Sequence, residues 1–314
     1  MLKYVAKKLI MLIVTLLVTS FVVFLIFNII PGDPAIHKLG TQATPEKLEA
    51  LRNEMGLNAP FFARYFNWLF KMFVGDFGKS YSSGVAVSKI IGGKLMINGT
   101  LSFMAIIIVS IVSIPLGIYC AKHTGGLIDK IFVVINQICM SFPPFLLGII
   151  LTFIFAFVFH LFSPGGYVSY DRNFGKFIGY LILPSLSLAI PKIAMCIRLL
   201  KGNILSEATK DYARTAYSRG NNTTGLLYKH ILKNAIMPTI TFIGMVLADM
   251  IASSIIIEQT FNIPGLGRTL INAIGTRDYP VVEVIILMIA LMVMVISTAT
   301  DIIHACIDPR VTNE

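Results

Sequence analysis

Six stretches of mostly apolar residues constrain this chain more than anything else in it. They lie near 9–30, 99–121, 131–160, 177–200, 236–257 and 280–305. The hydrocarbon core of a bilayer takes about 20 such residues as a helix, and inside it the backbone must satisfy its own hydrogen bonds. Over 314 residues, 56% are hydrophobic and only 13% charged, with a mean hydropathy of +0.79. Soluble domains carry about 25% charged residues, so the chain reads as an all-α integral membrane protein with six spans. The third run has length to spare, and "SFPPF" (141–145) supplies a kink site within it. The first run follows Lys3, Lys7 and Lys8 as a secretory signal would. It is too long for one and has no small-x-small cleavage site after it, so it is expected to stay attached as a span.

A net charge of +10 invites thoughts of nucleic acid, but the positions of the charges point elsewhere. Lys and Arg number three in the N-terminal tail, two in 122–130, six in 201–235 and one after the last span. The short loops 161–176 and 258–279 carry two each. Positive residues collect on the cytoplasmic side. That rule places both termini and 201–235 in the cytoplasm. Segment 31–98 holds eight more, but loops longer than about 60 residues cross largely regardless of charge, so it is expected outside. The charge sets a topology. It does not indicate nucleic acid.

Two polar segments read as structured. In 31–98, "PGDP" (31–34) stops the first helix. "TPEKLEALRNEMG" (44–56) reads as a helix with Thr44 at its N-cap, Pro45 at the first helical position and Gly56 past its end. "PFFARYFNWLFKMF" (60–73) reads either as a helix in the outer interface or as a small folded cap over the spans. In 201–235, "SEATKDYARTAYSRG" predicts a helix with Ser206 as candidate N-cap and Gly220 at a left-handed C-terminal turn. A second helix restarts near Thr223 and runs into the fifth span. This inner element holds no paired carboxylate, no nucleophile with a base and no metal-ligand spacing. Read from the residues alone, it is a docking surface or a solvated connector. "GGKL" (92–95) lacks the remaining residues of a phosphate loop.

Ionisable residues inside spans are costly and are functional candidates by default. Asp249 lies mid-span in the fifth run with Ser253 one turn on, close to a small-residue stripe of Gly244, Ala248 and Ala252. It serves either a polar pathway or a structural hydrogen bond. Lys192, just after Pro191, has three readings: snorkelling toward the cytoplasm, pairing with Asp249, or meeting a substrate carboxylate. Ser297, Asp301 and His304 share one face of the sixth span and suggest an interface network. The four cysteines, Cys120, Cys139, Cys196 and Cys306, show no CxxC and read as small apolar core residues. No metal site is expected. An intramembrane enzyme would need paired catalytic groups at matching depth. A channel or secondary transporter has no use for a structured 201–235 segment, and no inverted repeat is visible.

Several motifs occur in order along the chain. They are "FNIIPGDPA" (27–35), "RYFNW" (64–68), "GDFGKS" (75–80), "SFPPFLLG" (141–148), "ARTAYSRG" (213–220), "HILKNAIMP" (230–238), "EQTFNIPGLGR" (258–268), "RDYP" (277–280) and "DPR" (308–310). In this order and spacing the chain resembles the integral permease subunit, the first of two, of bacterial ATP-binding-cassette importers of the peptide and nickel group. The resemblance implies a type I importer permease fold: a tail and first span (1–30), an external segment (31–98), a five-span core (99–305) with a cytoplasmic coupling loop (201–235), and a cytoplasmic tail (306–314). It implies that the loop docks on an ATPase subunit through Asp211, Arg214, Ala216, Arg219 and Gly220, with Pro143, Lys192, Asp249 and Ser253 as candidate pathway residues. Lys192 departs from the family, which has an apolar residue nearby. The implied partners are a second homologous permease, two ATP-binding subunits, an extracellular or periplasmic substrate-binding protein and the lipid bilayer. ATP and magnesium would be bound by those partners, and this chain would carry no catalytic residue and no cofactor. The implied location is the bacterial cytoplasmic membrane. The implied cargo is a short peptide, with nickel or a metal–chelator complex as the alternative.

Overall fold

A computed structural model describes residues 2–29, 34–39, 44–54, 56 and 58–307. The first three residues of the expected "PGDP" turn, and "DPR" in the C-terminal tail, lie outside these. The described chain is mostly helical, in the order α1 (Leu2–Ile29), α2 (Pro34–Leu39), α3 (Pro45–Glu54), α4 (Phe61–Phe73), α5 (Val87–Ile91), α6 (Lys94–Lys122) and α7 (Leu127–Ser141). There follow α8 (Pro144–Thr152), α9 (Phe174–Ala208), α10 (Asp211–Ser218), α11 (Thr223–Leu226), α12 (Leu232–Thr260), α13 (Leu266–Gly275) and α14 (Tyr279–Ile307).

Five helical stretches are long and apolar enough to cross a membrane: Lys3–Ile29, Val87–Lys122, Phe174–Ala208, Thr223–Thr260 and Tyr279–Cys306. The sixth is broken. Helices α7 and α8 meet at 101°. The expected kink is thus a near right-angle break, because two prolines stand in succession. Pro143 caps α8 in extended conformation (φ −61°, ψ 142°) and its ring removes the hydrogen bond that would carry α7 onward. Beyond α8 the chain widens into i→i+5 turns over Phe153–Val158.

Side-chain contacts establish that the broken pair still makes a crossing. At one end of α6, Gly93 lies against the Tyr170 hydroxyl just ahead of α9. Near its other end, Gly117 packs on Leu200 of α9. Helices α6 and α9 therefore run in the same direction, and 127–173 must return the chain across the layer. Tyr180 donates to the Phe261 carbonyl at 2.7 Å and Asn203 reaches Thr239 at 3.4 Å, which sets α12 antiparallel to α9. Lys8 meets Asp301 at 2.7 Å while Phe27 stacks on Tyr279, so α1 and α14 are antiparallel. Six passes result among the described residues. The start of α1, the end of α14 and the α10–α11 element all share what we call the near face.

Packing uses small and polar residues as much as bulk. Leu101, Phe177, Leu181, Met250 and Ile257 are fully buried where α6, α9 and α12 meet. Ser102, Ser113, Ser185 and Ser187 are buried among the same helices and let them approach closely. A second cluster joins α5, α13 and α14, and a third ties α10 and α12 to the near ends of α6 and α9.

The far-face segment after α1 is partly as expected. Thr44 caps α3 through its hydroxyl, which accepts from Lys47 N at 3.4 Å, and Gly56 takes φ +69°. Helix α4 lies along the far half of α1. Tyr65 bonds Ser20 at 3.0 Å within an aromatic cluster of Phe21, Phe24, Phe61 and Trp68. Its other side exposes Phe62, Phe66, Phe70 and Phe73. The helix expected over 60–73 is thus present, with one face packed on α1 and an apolar face at the surface. Helix α6 already begins at Lys94, so the boundary expected at 98 falls inside it.

Candidate docking element and intramembrane polar pair

Helix α9 has 35 residues, about 52 Å at 1.5 Å per residue, against a hydrocarbon core of about 30 Å. It therefore carries the chain well past the span before α10 begins. Ser206 lies in the last turn of α9, so it does not cap the next helix as expected. The break comes after it, where the Thr209 hydroxyl donates back to the Ser206 carbonyl at 2.8 Å. Lys210 then takes an extended conformation (φ −73°, ψ 152°) and α10 starts at Asp211, an acid in the first turn as the helix dipole favours. Glu207 braces the corner by accepting from Lys210 at 2.6 Å and from the Tyr212 hydroxyl at 2.6 Å. Burial and that hydrogen bond hold the Tyr212 phenol above its usual pKa.

One face of α10 is turned inward. Ala213 and Ala216 are buried, and the Ala216 carbonyl accepts from Asn221 at 2.9 Å. The small size of Ala216 thus serves the seating of α10 on its own chain. Asp211, Arg214, Arg219 and Gly220 are exposed, together with Tyr217. Gly220 reverses the chain with φ +88°, where a Cβ would touch nothing but the backbone would be strained. Asn222 starts the next turn, its side chain accepting from Gly225 N at 2.7 Å. The helix–turn–helix expected from the sequence is present, with the first helix shorter by one turn.

Within the spans, Lys192 of α9 and Asp249 of α12 form an ion pair at 2.6 Å. Of the three readings of Lys192, pairing is the one realised. The Asp249 side chain is 52% exposed and that of Lys192 19%. Met245, Asp249, Ala252, Ile256 and Gln259 make one exposed stripe along α12, with Ser253 half-buried beside it. A half-exposed carboxylate at mid-span is costly against lipid, and such groups almost always face a bundle interior or a water-filled cavity. This face therefore abuts water or another polypeptide. Pro143 is exposed at the α7–α8 break. The small-residue stripe divides. Gly244 presses on Thr300 of α14 with no room for a Cβ, whereas Ala252 is exposed. Of Ser297, Asp301 and His304, Asp301 pairs with Lys8 of α1 at 2.7 Å. Cys120 and Cys196 are buried as expected, but Cys139 is half-buried and Cys306 exposed. No group of three metal-ligating side chains gathers among the described residues.

Three polar nodes were not anticipated. Asp129, at the start of α7, pairs with Lys201 of α9 at 2.5 Å and accepts from Gly125 N at 3.0 Å. Glu258, fully buried, accepts from Gly267 N at 2.6 Å, Arg268 N at 3.1 Å and Asn98 at 3.1 Å. It thereby latches the start of α13 onto α12 and α6. Asp278 is wrapped by the far-face loop: it accepts from the Ser80 hydroxyl, from Tyr81 N at 2.8 Å and from the Ser82 hydroxyl at 2.7 Å. Burial and nearby Glu283 push the Tyr81 phenol up to about 12. The signal for Glu258 and Asp278 was present, since both lie in the motifs "EQTFNIPGLGR" and "RDYP". For Asp129 it was an acid beside a Gly–Gly turn.

The arrangement is that of a membrane-spanning transport subunit with a structured element projecting from one face, and the comparisons agree. Residues 113–313 match the family described as binding-protein-dependent transport system inner membrane component, and residues 1–97 its N-terminal companion. The chain is 32% identical over 98% of both chains to the probable peptide ABC transporter permease protein y4tP of Sinorhizobium fredii. It is 32% identical, over 98% of both chains, to the oligopeptide transport system permease protein AppB of Bacillus subtilis. The same identity covers 99% of both chains for the glutathione transport system permease protein GsiC of Escherichia coli. The chain belongs to the binding-protein-dependent transport permeases, the membrane subunits of ABC transporters. It is a multi-pass transport subunit of a larger complex and not an enzyme.

Proposed function

We propose that this chain is one of two homologous permeases of an importer that moves short peptides across a bacterial cytoplasmic membrane. The observation that carries this reading is the α10–α11 element, an exposed polar helix held by its own corner on the near face. A solvated connector would need neither the Glu207 brace nor the inward seating of Ala213 and Ala216. In this reading the near face is the cytoplasm, supported by the excess of Lys and Arg there. Two ATP-binding subunits dock on α10 through Asp211, Arg214 and Arg219, bind ATP and magnesium, and close. Ala216 seats the helix and Gly220 sets its angle, so closure moves α9 and α12 together. A binding protein delivers cargo to the far face, where α4, α5 and α13 lie.

The stripe of α12 bearing Asp249 faces the passage between the two permeases, with Ser253 beside it and Lys192 fixing the carboxylate. Pro143 lines the passage at the α7–α8 break. The peptide reading rests on the relatives, named for peptide, oligopeptide and glutathione transport. The test is uptake in a strain lacking the system and supplied with this chain and its partners, offered labelled di- and oligopeptides, free nickel and chelated nickel. Peptide uptake that requires ATP and the binding protein is the expected result. Nickel uptake without peptide uptake would overturn the cargo and leave the architecture standing.

A further inference from the structure

We propose that a cavity between α7 and the near-face parts of α6 and α9 holds the headgroup of an anionic glycerophospholipid. The cavity has a volume of about 230 Å³ and is lined by Cys120, Asp129, Asn136, Gln137, Arg198 and Lys201, with apolar side chains of α7 and α9 between them. Its charges do not cancel. Asp129 is consumed by Lys201 at 2.5 Å, which leaves the exposed Arg198 as the cation free to meet an anion. A guanidinium is suited to that task, since its planar fork takes two phosphate oxygens at once.

The level in the layer fits a headgroup. Arg198 lies one turn before Lys201, where α9 passes out of its apolar run. Asn136 and Gln137 reach the same cavity from α7, with side-chain amides that suit glycerol and ester oxygens. Acyl chains also have a place to lie. Val133 of α7 lines the cavity and is 54% exposed, so apolar surface leads out of it. Basic pockets between membrane helices on the cytoplasmic side bind anionic headgroups for these electrostatic reasons. The inference does not depend on the cargo.

The test uses the complete transporter in vesicles of phosphatidylcholine alone or with phosphatidylglycerol, read by native mass spectrometry and by thermal midpoint. Phosphatidylglycerol should stay bound to the wild type through mild delipidation and raise the midpoint. Arg198→Gln should reduce retention about fivefold, the change that corresponds to about 1 kcal/mol for one surface cation. It should also abolish the rise while leaving the midpoint in phosphatidylcholine unchanged. Arg198→Lys should keep part of both. Lys130→Gln, an exposed cation of α7 outside the cavity lining, should change neither. Equal retention by wild type and Arg198→Gln overturns the proposal. So does an equal midpoint rise from inorganic phosphate in phosphatidylcholine vesicles, which marks a site for free anions. Displacement of phosphatidylglycerol by a transported dipeptide would overturn it as well, and place the cavity in the passage.

Discussion

Gly220 holds φ +88° with open space around it, so any cost of substitution there is a backbone cost. A left-handed residue with a Cβ loses about 1–2 kcal/mol, and asparagine tolerates the region best. Gly220→Val is therefore expected to leave the protein in the membrane at normal abundance while sharply lowering ATP-driven uptake, and Gly220→Asn to lower it less. Uptake measured against membrane abundance decides, and wild-type uptake by Gly220→Val would remove α10 from the coupling path. Asp129 and Lys201 make the opposite kind of site, where the cost is electrostatic. Asp129→Ala strands a half-buried lysine, for which about 1–3 kcal/mol is typical. Its thermal midpoint in detergent should fall, and Asp129→Ala with Lys201→Met should recover most of the loss. Gly220 was legible in the sequence because a turn needs a local residue type. The Asp129–Lys201 pair was not, because its members are 72 residues apart.

At the level of elements, α13 depends on two residues of the motif "EQTFNIPGLGR", Glu258 and Gly267. Glu258 supplies the acceptor for its first N–H groups. Gly267 lets it approach α12 so closely that an added Cβ would strike the Cα of Ile255. Gly267→Ala must displace backbone and should lower the thermal midpoint far more than an alanine at exposed Gly275, which meets nothing. Equal shifts at the two glycines would show that α13 is loosely held. Element boundaries followed the same logic. Thr44, Pro45 and Gly56 mark α3 through local chemistry, and the structure agrees with them. Ser206 was misleading because α9 gains enough from packing Leu200 and Ile204 on the near-face cluster to run past a good capping residue. The Pro143–Pro144 step was visible as a kink, but proline chemistry sets only that the helix must break. Packing of α8 on α9 and α12 sets the angle.

Over the whole molecule, the Lys192–Asp249 pair links the two helices that enter and leave the docking element. Charges at mid-span cost about 2.5–3.5 kcal/mol each on insertion scales, and the pair offsets much of that. Asp249→Asn and Lys192→Met are each expected to cut uptake, whereas the exchange Lys192→Asp with Asp249→Lys should restore a large part of it. Failure of the exchange alongside normal abundance would point to a position-specific role for the carboxylate in the passage. The six crossings, their order and the excess of positive charge on one face follow from the sequence by itself, because the bilayer imposes one length and one polarity on every span. What only the tertiary structure decided was which polar side chains meet: Asp249 with Lys192, Asp129 with Lys201, Glu258 with the start of α13, Asp278 with the loop at Ser80. The spans are alike in apolar character, so composition cannot rank their pairings. The partners are chosen by helix direction, rotation and the small residues that let particular faces touch.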